Sequence, residues 1–177
     1  NHDPLQNETK IVELPKNAIL FPADNVGSHI HKKSGEAVAQ IYGISYASKR
    51  EERRLASKYR VENHDLFNIG ILHTQVEGQT EHEVYAPSTK QELLAQGIDY
   101  WALGHVHQRQ ILHEKPYIIY PGNLQGRHVK EQGLKGFYHV KVNSIKEVTY
   151  NFQPVQHIIW LELEVSLEGM ESISTVI

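Results

Sequence analysis

The chain has 177 residues, of which 40% are hydrophobic and 22% charged, and a net charge of −3 with neutral histidines. A chain of that length is about one domain, able to bury roughly 70% of its unfolded surface, and the composition excludes collagen-like, coiled-coil and wholly disordered classes. A net charge so close to zero supplies no bulk basic field for nucleic acid, so any such contact must come from a local patch. There is no Cys, there are twelve His, and the first residue is Asn. Without Cys there are no disulfides, thiolate zinc sites or cysteine nucleophiles, which fits a reducing compartment. No apolar run approaches the ~18 residues of a membrane span, and no basic-then-apolar leader opens the chain. The expectation is a cytoplasmic protein with no membrane partner.

In chain order, Asn1 to Lys16 is polar and turn-rich, and the apolar run Ala18 to Phe21, ended by Pro22, is expected to be a strand. His29-Ile30-His31 runs into Lys32-Lys33 and is read as a solvated edge or loop. Ala37 to Tyr46, with Val38, Ile41 and Ile44, is expected to be a second strand. The charge-dense stretch Lys49 to Arg60, free of Pro and Gly and with Leu55 and Tyr59 four apart, is expected to be a helix. Phe67 to Leu72 is a mostly apolar run, the pattern of a strand buried on both faces. After a polar loop over 74–86, a helix is expected with Ser88 as N-cap and Gln91 three residues later, stopped at Gly97. Asp99 to Leu103 is the next strand, stopped by Gly104. Strand, helix and strand in about forty residues form a βαβ unit, so the two strands should be parallel. Beyond Gly104, five short strands are expected: Arg109–Leu112, Pro116–Tyr120, Lys135–Asn143, Glu147–Phe152 and Ile158–Val165. Tyr120-Pro-Gly-Asn123 and Gln132-Gly133 are turns among them. Trp101 and Trp160 are expected in the core.

Parallel strands of one βαβ unit end at the same edge of the sheet. His73 directly follows the first strand, and His105 follows the second after one glycine, so both reach the carboxyl edge, where open α/β sheets hold ligands. His107 lies two residues on, on the same side of an extended chain and about 6.6 Å from His105. That spacing suits ligands of two neighbouring metal ions, which sit about 3.5–4 Å apart in two-metal hydrolases.

These residues resemble a known family. Asn1-His2-Asp3 is similar to the tail of the G-N-H-D motif of calcineurin-like metallophosphoesterases. Ile71-Leu-His73-Thr resembles the superfamily's isolated-histidine motif, and Gly104-His105-Val-His107 its G-H-x-H motif. Ala102 to Gln108 and Tyr120 to His128 look most like the DNA repair exonuclease branch, the SbcD-like and YhaO-like proteins, and the resemblance covers about residues 1–165. It implies an α/β fold, a mixed β-sandwich flanked by helices. It implies a metal-dependent phosphodiesterase or exonuclease hydrolysing DNA ends by a two-metal mechanism. Asn1, His73 and His105 would ligate one ion and His107 the other. His2 would face the phosphate as proton donor or charge stabiliser, with Asp3 holding its ring. Mixed imidazole, carboxylate and carbonyl ligation suits Mn²⁺. DNA would be the substrate, and an SMC-like coiled-coil ATPase a partner; a homodimer is a further arrangement to test.

The chain departs from the family pattern in one respect: it contains neither the Asp-x-His nor the Gly-Asp-x-x-Asp motif. The expectation is therefore an N-terminally truncated catalytic domain over 1–165, with its first βαβ part missing and a tail or the start of a following region at 166–177. Such a chain would be inactive by itself and hold at most one weakly bound ion. Arg127 and His128 are candidate phosphate or DNA contacts beside the site. The basic stretch at 49–60 reads as a solvated face. Two other readings stand beside this one: a phosphatase or phosphodiesterase on a non-DNA substrate, and a non-catalytic module with a vestigial metal site.

Overall fold

The computed structural model describes residues 14–78, 85–166 and 168–169. The terminal triplet Asn1, His2 and Asp3 and most of the 166–177 tail therefore lie outside the described residues. The rest is built on a six-stranded mixed sheet. Its strands are β1 (Gly27–Lys33), β2 (Glu36–Gly43), β3 (Phe67–His73), β4 (Tyr100–Gly104), β5 (Gln110–Glu114) and β6 (Tyr117–Tyr120), in the order β1-β2-β3-β4-β6-β5. β2, β3, β4 and β6 are mutually parallel, while β1 and β5 close the two edges antiparallel. As the βαβ pattern requires, β3 and β4 pair in parallel, with His73 opposite Gly104. A short helix, α1 (Lys90–Leu94), lies between them in sequence. β7 (Gly136–Val142) and β8 (Val148–Pro154) form a separate antiparallel hairpin.

The sheet buries both faces. On one, Leu55, Tyr59, Leu93 and Trp101 are all fully buried in a cluster that includes Tyr42 and Leu72. On the other, Phe67, Tyr100 and Ile119 pack against Tyr138, Val140 and Val148 of the hairpin, a two-layer arrangement. The alternation in β7 sets this up, for Tyr138 and Val140 turn inward while Phe137, His139 and Lys141 are exposed.

Several elements differ from the sequence expectation, each for a local reason. The run at 18–21 is not a strand; Phe21 instead lays its ring over Gly27 and Gly43, where no side chain competes for the space. His29-Ile30-His31, by contrast, lies on the solvated edge as expected, within the edge strand β1. The stretch at 49–60 holds only a 3-10 turn, Ala56–Lys58. Arg53 binds Glu51 two residues away, a spacing that does not face across a helix, and Arg54 binds Glu92 of α1. α1 starts one residue later than expected, with a capping box from Thr89 and Glu92. Ser88 is spent elsewhere, its hydroxyl 2.9 Å from that of Thr74. The segment at 158–165 is irregular, and Trp160 is half-buried with its indole N–H donating to Gly126 O at 3.1 Å. Trp101, by contrast, is fully buried as expected. Helices are few among the described residues, and none is long and apolar enough to cross a membrane.

Candidate metal centre and adjoining cleft

His73 closes β3 and His105 follows β4 directly, so the sheet delivers both imidazoles to its carboxyl edge. Their facing nitrogens, His73 Nε2 and His105 Nδ1, are 3.3 Å apart, with ring centroids 5.2 Å apart. The backbone makes this possible at a cost. His105 sits at φ +106°, a region costly for any residue but glycine, and such strain concentrates at functional sites. The tight turn thus falls on His105 itself, one residue after Gly104.

The surrounding side chains fix the pair. The Tyr46 hydroxyl donates to the His73 carbonyl. Tyr85, buried, stacks on His105 at 5.6 Å and 18° and meets His73 edge-on at 5.4 Å. Burial pushes the Tyr85 hydroxyl up to about 12, helped by the Glu51 carboxylate and opposed by Arg53, so it stays protonated at neutral pH. Behind His73, the Thr74 N–H donates to Gly104 O at 3.2 Å, tying the two strand ends together. The fully buried Tyr120 at the end of β6 donates to Thr74 O at 2.7 Å and accepts from the Val76 N–H at 3.1 Å.

His107 is placed differently. Its Nδ1 faces Glu131 Oε1 at 2.6 Å, a carboxylate 24 residues away in sequence that no local pattern could announce. Burial alone would raise the Glu131 carboxyl. The Arg127 N–H and the His107 ring outweigh it and hold the group at about 2, so it is a carboxylate at neutral pH. The turn at 120–123 brings this region in. Gly122, at φ +77°, comes so close to the backbone that a Cβ would sit 2.8 Å from His107 O and Arg109 N, while the Asn123 N–H donates to His107 O at 3.1 Å.

From there the chain wraps a cleft of about 810 Å³, lined by His107, Arg127, His128, Lys130, Glu131 and Lys135 among others. Arg127, His128 and Lys130 are exposed, whereas Lys135 is buried with its ammonium 3.4 Å from His107 O. Three permanent cations against one carboxylate give the cleft a net positive charge, although the whole chain is negative. Sequence reasoning picked out Arg127 and His128 here but missed Glu131 and Lys135.

Whether these residues suit a divalent ion can be judged from the donors. Two nitrogens bound to one ion at about 2.1 Å, with an angle between 90° and 110°, lie about 3.0–3.4 Å apart. The His73–His105 separation of 3.3 Å falls in that range, so the pair fits one edge of a coordination sphere. It accounts for two donors only. Among the described residues no group of three or more His, Asp or Glu is placed to hold a metal ion.

No family model matches the chain. It is similar to an uncharacterized metallophosphoesterase, YhaO, of Bacillus subtilis (strain 168), with 40% identity over 161 residues. The match takes in 90% of this chain and 39% of that relative, so the chain spans about two fifths of the relative's length. At 40% identity over nine tenths of its own length, the chain is similar to part of a metallophosphoesterase.

Proposed function

We propose that this chain is part of a metal-dependent phosphodiesterase that hydrolyses DNA at its ends. The observation that carries the reading is the His73–His105 nitrogen pair at the carboxyl edge of the sheet, next to a cationic cleft. One ion would be held by Asn1, His73 and His105 and a second by His107, with Mn²⁺ the choice that best fits such donors. When bound, divalent ions neutralise charge on a transferring phosphoryl group and make a nucleophile available at neutral pH. The chain's own residues do the rest. Arg127 and Lys130 offer charge-assisted hydrogen bonds to phosphate oxygens along a backbone. Lys135 adds a fixed positive charge beside His107. His2, steadied by Asp3, would supply a proton to the leaving oxygen. The chain lacks Asp-x-His and Gly-Asp-x-x-Asp, and its turnover in isolation is expected to be negligible. A cytoplasmic setting, an SMC-like ATPase partner and a homodimer complete the proposal.

The test compares linear duplex, closed circular duplex, nucleotide and cyclic-nucleotide substrates, with Mn²⁺, using the natural gene product that carries this sequence. Mn²⁺-dependent release of nucleotides from linear DNA, abolished by His73→Ala, is the expected result. Turnover confined to small phosphoesters would replace DNA with a non-DNA substrate. Absence of both turnover and tightly bound metal would leave a non-catalytic module.

A further inference from the structure

We propose that Glu131 is a positioning residue for His107, fixing both the orientation and the protonation pattern of that ring; this rests on reading His107 as a metal ligand. Glu131 is 8% exposed, and both of its oxygens are engaged. Oε1 lies 2.6 Å from His107 Nδ1, and Oε2 accepts from the Arg127 N–H at 2.8 Å. His128 Nε2 stands 3.7 Å from Oε1. The carboxylate is therefore held at both oxygens.

An ionised carboxylate can only accept, so the proton shared with it must sit on His107 Nδ1. In the neutral ring that leaves Nε2, on the side away from Glu131, as the nitrogen with a lone pair. A carboxylate behind an imidazole in this way orients it and raises its basicity toward a cation. Lys135 is buried and lines the same cleft. Its ammonium donates a hydrogen bond to the His107 carbonyl, while Glu131 is engaged by the ring.

The Arg127 contact adds a second consequence. One side chain fastens His107 and the start of the segment carrying Arg127 and His128. The ring after β4 and the proposed phosphate contacts after β6 are thereby held in a fixed relation by Glu131.

Two measurements test this. Long-range ¹H–¹⁵N spectra of the metal-free 177-residue chain, at a pH where the ring is neutral, report the His107 tautomer. Nδ1–H is expected in the wild type. In Glu131→Gln the amide can donate to Nδ1 and drive the proton to Nε2. Mn²⁺ binding by the natural gene product, followed through the EPR signal of the free ion, should show one bound ion weakened 10–100-fold in Glu131→Gln and largely restored in Glu131→Asp. The other ion and the metal-free melting temperature should stay near wild type. A wild-type Nε2–H tautomer overturns the proposal and leaves the site reading intact, and this holds even if Glu131→Gln fails to fold. Unchanged affinity for both ions in Glu131→Gln also overturns it. A wild-type protein that binds no Mn²⁺ sinks the proposed function together with the proposal.

Discussion

Replacing Gly104 by alanine separates the metal-site reading from simple packing. A Cβ built on Gly104 would lie 3.0 Å from His73 Nδ1, where ordinary contacts start near 3.4 Å. The imidazole must then recede by about 0.4 Å, and because the ring is rigid its Nε2 moves by a similar amount. Metal–ligand distances tolerate about ±0.2 Å, so the displaced nitrogen no longer meets an ion at the place His105 Nδ1 defines. The expected loss is about tenfold in affinity for one ion, or ~1.4 kcal/mol. Stability should hardly change. Overpacking costs about 1 kcal/mol, and the stiffer unfolded chain returns about 0.4–1 kcal/mol, since Gly104 is not in the left-handed region. Equilibrium dialysis of the natural gene product against Mn²⁺, with thermal melts in chelator, gives both numbers. Affinity within twofold of wild type would refute the placement of His73 as a ligand.

Three further outcomes follow from the same geometry. Gly70→Ala puts a Cβ 2.5 Å from Cε3 of the fully buried Trp101, and should cost at least ~2 kcal/mol in urea unfolding; a loss below ~0.5 kcal/mol would mean that the indole can move aside. Arg127→Ala with Lys130→Ala should weaken duplex DNA binding regardless of sequence and lower the slope of log K against log salt by about 1–2, and an unchanged slope would remove both residues from the phosphate contacts. Hydrogen bonds from Arg53 hold the Glu51 carboxyl below its usual range, against the opposing effect of burial. Because the folded value is depressed, this stabilisation is complete above the unfolded value of about 4.3 and fades as pH falls through the folded one. Glu51→Gln should therefore melt lower than wild type at pH 7, and the gap should narrow by pH 3; a constant gap would show that the carboxylate charge contributes nothing.

Legibility in the sequence followed the range of the interactions involved. β3, β4 and their parallel pairing were readable because apolar runs, a glycine stop and a short connection are local signals, and they carried His73 and His105 to one edge. The start of α1 was readable to within a residue, since overlapping Ser-x-x-Gln and Thr-x-x-Glu patterns compete and the Glu92 carboxylate secures the second. The stretch at 49–60 misled because its charges find partners outside it: Arg53 reaches the Ala23 carbonyl, and Arg54 reaches Glu92. The His107–Glu131 contact was invisible for a related reason. It exists only once the turn at Gly122 has folded the later segment back onto the residues after β4. The family resemblance, resting on short motifs, named the histidines without naming what holds them.

The four parallel strands divide the molecule's tolerance for change. β2, β3, β4 and β6 leave the sheet at the same rim, so the segments that follow them meet there while the strand registers stay fixed below. Lengthening or rewriting one of those segments alters what the rim can grip without repacking Leu72, Trp101 or Ile118. The opposite rim has no such licence, because Phe67 and Tyr100, at the starts of β3 and β4, lie beneath the β7–β8 hairpin. Insertions should accordingly be accepted on one side of this sheet and rejected on the other, which makes the rim of His73 and His105 the place where related chains can diverge in chemistry while sharing one frame.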